Sequence, residues 1–136
     1  MSDTLSTKVR LILCAALVVL LAAPAATAKE GAQAHLLQRL PSDPAPGSLV
    51  TVRWSVDVPG PHGTRVPFGA DGMFVRLTGK TGATTRATAV HSGPPYQARV
   101  RVPAGGMHAV RFGLMGTACN AARCWSSPMW FPLVRG

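Results

Sequence analysis

The stretch CNAARCWSSPM, residues 119–129, holds both cysteines of the chain's second half and one of its methionines. Cys119 and Cys124 bracket four residues, and Met129 follows five positions later. Two chemistries fit such a loop. Thiolate and thioether are soft ligands suited to copper. Two thiols on a loop that doubles back also come within reach of a disulfide. Closing so small a ring stabilises by roughly 2 kcal/mol in the chain-entropy account.

Copper loops between the late strands of Greek-key barrels combine Cys, Met and His. Here Trp125, Ser126, Ser127 and Pro128 fill the gap between Cys124 and Met129, and no histidine stands among them. The imidazole would have to come from His108 on the preceding strand, with Met115 and Met129 as thioethers. The alternation of that strand points His108 inward with Val110. The disulfide is therefore the expected chemistry, and a copper site at His108, Met115 and Met129 is the alternative. No other cofactor is expected. The chain has no G-x-S-x-G, no phosphate-binding glycine loop and no dinucleotide fingerprint. Downstream of residue 28 its carboxylates are Glu30, Asp43, Asp57 and Asp71, of which Asp57 and Asp71 flank one loop without the surroundings of a tuned pair. No enzyme is expected.

The compartment bears on the cysteines. Lys8 and Arg10 precede the apolar run LILCAALVVLLAA, residues 11–23, and Ala26-Thr27-Ala28 follows as a small-x-small site. A basic start, a short apolar run and such a site read as a secretory signal peptide over 1–28, a helix removed on export. The run is shorter than the ~20 residues of a membrane span. Membrane association would follow only if the segment stayed attached. Export implies an extracytoplasmic, oxidising setting in which paired thiols close.

The chain carries a formal net charge of +9, and arginine outnumbers lysine heavily. An exported basic protein meets anionic surface components or acidic proteins rather than nucleic acid. Residues 29–47 read as a flexible, proline-rich segment with one edge strand around His35–Leu40. From residue 48 the period becomes two. Val50, Val52, Trp54, Val56 and Val58 share one face of a strand. Met73, Val75 and Leu77 do so on the next. Thr-rich 83–90 follows, then Tyr96, Ala98, Val100 and Val102. His108, Val110, Phe112 and Leu114 come next, and last SPMWFPLV, whose prolines imply an edge. No sustained helical period follows residue 30. About seven strands separated by turns predict an all-β, immunoglobulin-like antiparallel sandwich over 48–136.

Two surfaces are candidates for binding. The long Pro/Gly loop of residues 59–72 presents His62, Arg65 and Phe68, and Trp125 follows Cys124 directly, either as a recognition residue or as a lid over the sandwich end. Arg53, Arg76, Arg99, Arg101 and Arg111 each lie one step out of phase with an inward residue, which predicts a shared basic face. Phe74 points outward beside Arg76.

The run YQARVRVPAGGMHAVRFGLMG, in which a Tyr-led Y-x-A-x-V strand is followed by a glycine turn and an amphipathic strand, resembles the closing half of small exported bacterial Ig-like domains of the YtkA-like and FixH-type group. The resemblance follows strand order over 48–134 and is specific over 96–116. It implies an extracytoplasmic β-sandwich, often membrane-associated and encoded near metal or respiratory functions. It brings no catalytic residues with it. The expected function is an exported, non-enzymatic binding or accessory module at the cell envelope, with copper handling as the alternative. Its partner would be an envelope protein or an anionic surface component.

Overall fold

The structure, a computed structural model, describes residues 31–135. The expected signal peptide lies outside them. Among the described residues no helix is long and apolar enough to cross a membrane. The described residues form nine strands in two sheets: β1 (Gln33–Leu36), β2 (Leu49–Pro59), β3 (Arg65–Pro67), β4 (Met73–Thr78), β5 (Thr84–Thr88), β6 (Tyr96–Arg101), β7 (Ala109–Cys119), β8 (Cys124–Phe131) and β9 (Leu133–Val134). The first sheet is built on β2, which pairs with β1, β3 and β6, while β9 adds to β1 in parallel. The second has the order β5-β4-β7-β8, all antiparallel. The chain crosses between sheets after β3, β5, β6 and β8, the sandwich topology of immunoglobulin-like domains.

The strict period of two sets the core. Val50, Val52, Trp54, Val56 and Val58 of β2 are all buried, and so are Met73, Val75 and Leu77 of β4 and Tyr96, Ala98 and Val100 of β6. Phe112 and Leu114 of β7 and Phe131 of β8 close the other side. Trp54 sits at the centre. Its indole stacks on Phe112 across the sandwich at 5.0 Å and lies 5.6 Å from Tyr96 of its own sheet. The indole N–H has no hydrogen-bond partner, a desolvation cost of about 1–3 kcal/mol that the packing of this ring must outweigh.

Four expectations about the elements change. The first strand spans Gln33–Leu36, not His35–Leu40, and it is an interior strand between β2 and β9. The sandwich therefore begins inside the segment expected to be flexible. Ala34 and the preceding Ala32 are buried, and Leu36 packs half-buried against the core; two alanines and one leucine leave little hydrophobic period to read. The 59–72 loop carries β3 and a 3-10 turn over Pro61–Gly63. SPMWFPLV is two strands in two sheets. Pro132 marks the crossing, where its missing N–H releases the ladder, while its carbonyl accepts from the Ala34 amide at 2.9 Å. Finally, His108 is exposed rather than inward. It precedes β7, and the chain leaves the Gly105-Gly106 turn, both glycines at positive φ, so the alternation of β7 does not reach back to it. Its amide donates to the Thr78 carbonyl at 2.8 Å.

Trp54→Ala should therefore cost about 3–5 kcal/mol, enough to unfold a domain of ordinary marginal stability. Chemical denaturation monitored by circular dichroism checks it. An unchanged midpoint would contradict the central place given to this ring.

Candidate functional site

Strand register, which no single strand reveals, decides which outward residues meet. On the outer face of the second sheet Arg86 of β5, Arg76 of β4 and Arg111 of β7 are directly opposite one another. The next row along holds Thr88, Phe74, Gly113 and Trp130. Gly113 is what lets that row close. A Cβ there would lie 2.5 Å from Phe74 Cζ, so only glycine lets the phenyl ring cross to meet the Trp130 indole edge-on at 5.2 Å. Phe74 does point outward, as the alternation says, yet it is 1% exposed. The Arg76 and Arg111 guanidinium carbons lie 4.2 and 4.3 Å from the Trp130 centroid, and that of Arg86 lies 5.2 Å from the Phe74 centroid. Arg86 also donates from Nη1 to Met115 Sδ at 3.4 Å. Neither Arg86 nor Trp130 stands out from sequence; only the pairing of β4 with β5 and of β7 with β8 brings them to this face.

The expected single basic face is two faces. Arg76 and Arg111 belong to this one. Arg53, Arg99 and Arg101 point outward from β2 and β6 on the first sheet, on the far side of the sandwich. Phase gave outwardness correctly but could not say which sheet a strand joins. Arg101 donates from Nη1 to the Gly47 carbonyl at 2.6 Å, and Arg53 and Arg99 are exposed.

The outer face of the first sheet also holds Asp57. Its Oδ1 accepts from Arg65 Nε at 2.8 Å and from Arg65 Nη2, while the same guanidinium donates to the Gly31 carbonyl at 2.8 Å. Asp57 Oδ2 lies 2.8 Å from His35 Nε2, within ion-pair range but outside hydrogen-bond geometry. Ser55 stands opposite His35 in the ladder. Serine, histidine and aspartate are thus side by side, but no hydrogen bond joins Ser55 to His35, and Arg65 already neutralises the carboxylate. An open groove of about 490 Å³ runs past Leu37, Ser55, Asp57, Arg65, Pro67 and Pro95.

Of the loop candidates, Arg65 is tied to Asp57. His62 is exposed in the 3-10 turn at a positive φ of 56°. Phe68 is half-buried, its ring 6.3 Å from Phe131. The Tyr96 hydroxyl holds this loop to the core: it donates to the Phe68 carbonyl at 2.8 Å and accepts from the Ala70 amide at 3.0 Å.

Trp125 lies on a different element. β7 and β8 run on past β4, whose pairing ends at Leu114, as a two-stranded arm about 17 Å long for five residues of strand. Cys119 and Cys124 face each other at its end, joined by a disulfide with their Cα atoms 4.0 Å apart. Asn120 Oδ1 caps the tip by accepting from the Ala122 and Arg123 amides. Gly116, Ala118, Trp125, Ser127 and Met129 line a shallow pocket of about 330 Å³ on the arm. Trp125 is 44% exposed.

The alternative ligands do not converge. His108 precedes β7 and Met115 lies just past its midpoint, about 23 Å apart for seven residues of extended chain. Met115 and Met129 fall on opposite faces of the β7–β8 ladder, since Met129 pairs with the inward Leu114. Among the described residues no group of three His, Cys, Asp or Glu side chains could hold a metal ion. No protein-family model, curated protein or solved structure matches the chain.

Burial raises the Tyr96 phenol above its ordinary value of 10.0; the Ala70 amide, by hydrogen bonding, pulls it partly back, and the charge of Asp71 adds to the rise. The unfolded chain therefore loses this proton first. The contribution is fully present below pH 10 and is lost as pH rises through the folded value. Stability of the wild type should fall on alkalinisation above about pH 10 more steeply than that of Tyr96→Phe, as read by urea midpoints across that range. Parallel pH profiles would contradict the assignment.

Proposed function

We propose that this protein is an exported, non-enzymatic binding module of the cell envelope, and that the disulfide-stapled arm is its recognition element. The carrying observation is Trp125. It is a large aromatic side chain, 44% exposed, on a protruding hairpin whose end is closed by a covalent bond. A rigidly displayed aromatic next to a shallow pocket floored by glycine and alanine suits an anchor contact. Because the arm lies beyond the last residue paired to β4, Trp125 is placed outside the main core, which favours recognition over the role of a lid. The basic N-terminal start, the apolar run and the small-x-small site support export, and the disulfide suits an oxidising compartment. The Ser55–His35–Asp57 row lacks a hydrogen bond between nucleophile and base, which supports a binding role over hydrolysis. The scattered positions of His108, Met115 and Met129 favour this reading over copper handling. The partner is an envelope protein or an anionic surface component.

The test compares wild-type and Trp125→Ala proteins, both oxidised. The variant should keep its melting temperature and lose capture of the partner from envelope extract. A lid would instead lower the melting temperature by the ~4–8 °C that follows each kcal/mol lost in a domain of this size and leave capture intact. That outcome, or no specific capture by the wild type, would overturn the proposal.

A further inference from the structure

Like charges directly opposite one another across a sheet are destabilising, yet Arg86, Arg76 and Arg111 form an unbroken row over three strands. Among the described residues the ion pairs are both made by Asp57, on the other sheet, so no carboxylate offsets the row. Two aromatic rings hold it. Trp130 lies against two of the guanidiniums and Phe74 against the third. Stacking takes up the flat faces of a guanidinium and leaves its N–H edges, the groups that grip oxyanions as a fork. One such donor, Arg76 Nε, is buried and has no hydrogen-bond partner. A charged donor withdrawn from water without an acceptor is costly, and an arriving anion would relieve both that cost and the mutual repulsion.

We propose that this row is a binding site for a chain of oxyanions, the phosphate groups of an extended polymer that lies across β5, β4 and β7. Strands are spaced about 4.8 Å apart, so the row of three spans about 10 Å, longer than one oxyanion and suited to several in succession. The face does not fit a bilayer. Its other outward residues are Thr78, Thr84, Thr88 and Thr117, with a half-buried Met115 lying under Arg86. Phe74 is covered, and none of the exposed large apolar side chains of the described residues lies on this face to enter lipid. It does not fit single-stranded nucleic acid either, which needs free aromatic faces on which bases stack; the Trp130 ring is engaged by Arg76 and Arg111. The site is separate from Trp125 and stands whether or not the arm recognises a protein.

The experiment titrates the purified, oxidised full chain with orthophosphate, tripolyphosphate and long inorganic polyphosphate by calorimetry, with the arginine Nε–Hε signals followed by NMR. The polymer should bind more tightly than orthophosphate and shift the signals of Arg76, Arg86 and Arg111. Arg76→Gln and Arg111→Gln should each weaken binding about tenfold or more, the scale of one charge-assisted hydrogen bond. Arg86→Gln, at an exposed position, should do the same and guards against misfolding of the Arg76 variant. Arg53→Gln and Arg99→Gln remove the same charge from the opposite sheet and should change affinity less than about twofold if binding is local rather than a matter of net charge. Equal losses in all five variants, no binding of polyphosphate, or preference for anionic vesicles or oligonucleotide over polyphosphate would overturn the proposal.

Discussion

The two sheets are joined through Trp54. Its ring touches Phe112 of the second sheet and Tyr96 of the first, and the rest of the molecule is arranged around that stack. Tyr96 reaches from it to hold the 59–72 loop by two hydrogen bonds. Phe112 fixes the phase of β7, and the phase of β7 decides that Arg111 and Gly113 face outward and that the arm leaves the sandwich with Ala118 and Trp125 on its inward-phase side. A shift of one residue in β7 would exchange these sets. The arginine row and the arm are thus consequences of one buried packing choice.

The outer face of the second sheet inverts the usual economy of a sandwich. A phenylalanine is buried on the solvent side, a glycine stands where a side chain would block it, and three arginines are aligned without a counter-charge among the described residues. Each departs from what a merely soluble surface needs. Together they make sense as one device: Gly113 admits Phe74, Phe74 and Trp130 make an aromatic floor, and that floor orders the guanidiniums. The cost in repulsion is borne in the free protein, as is common where a site is organised before its ligand arrives.

Much of the architecture is legible from alternation alone. Trp54, the valines of β2, and the inward residues of β4 and β6 follow from period two, and the disulfide follows from Cys119 and Cys124 standing five apart on a doubling loop. What alternation cannot supply is pairing. Arg53 and Arg76 are both outward, but whether they share a surface depends on which strands are neighbours, and they lie on opposite sides. Arg86, in a threonine-rich segment of weak pattern, and Trp130, read as part of a proline-broken tail, become visible only once β5 and β8 are placed at the two edges of their sheet. β1 is displaced and taken for an edge in sequence because the residues that bury it, Ala34 and the preceding Ala32, are too small to mark a hydrophobic period. His108 misleads because a glycine turn resets the phase just before β7.

The central claim is that the arginine row is ordered before any ligand binds. Nitrogen-15 relaxation of the arginine Nε–Hε groups in the ligand-free protein tests it most directly. The account predicts order parameters for Arg76 and Arg111 approaching those of rigid backbone, about 0.85, with Arg86 intermediate and the exposed Arg53 and Arg99 of the other sheet low. Equal mobility of all five would contradict it.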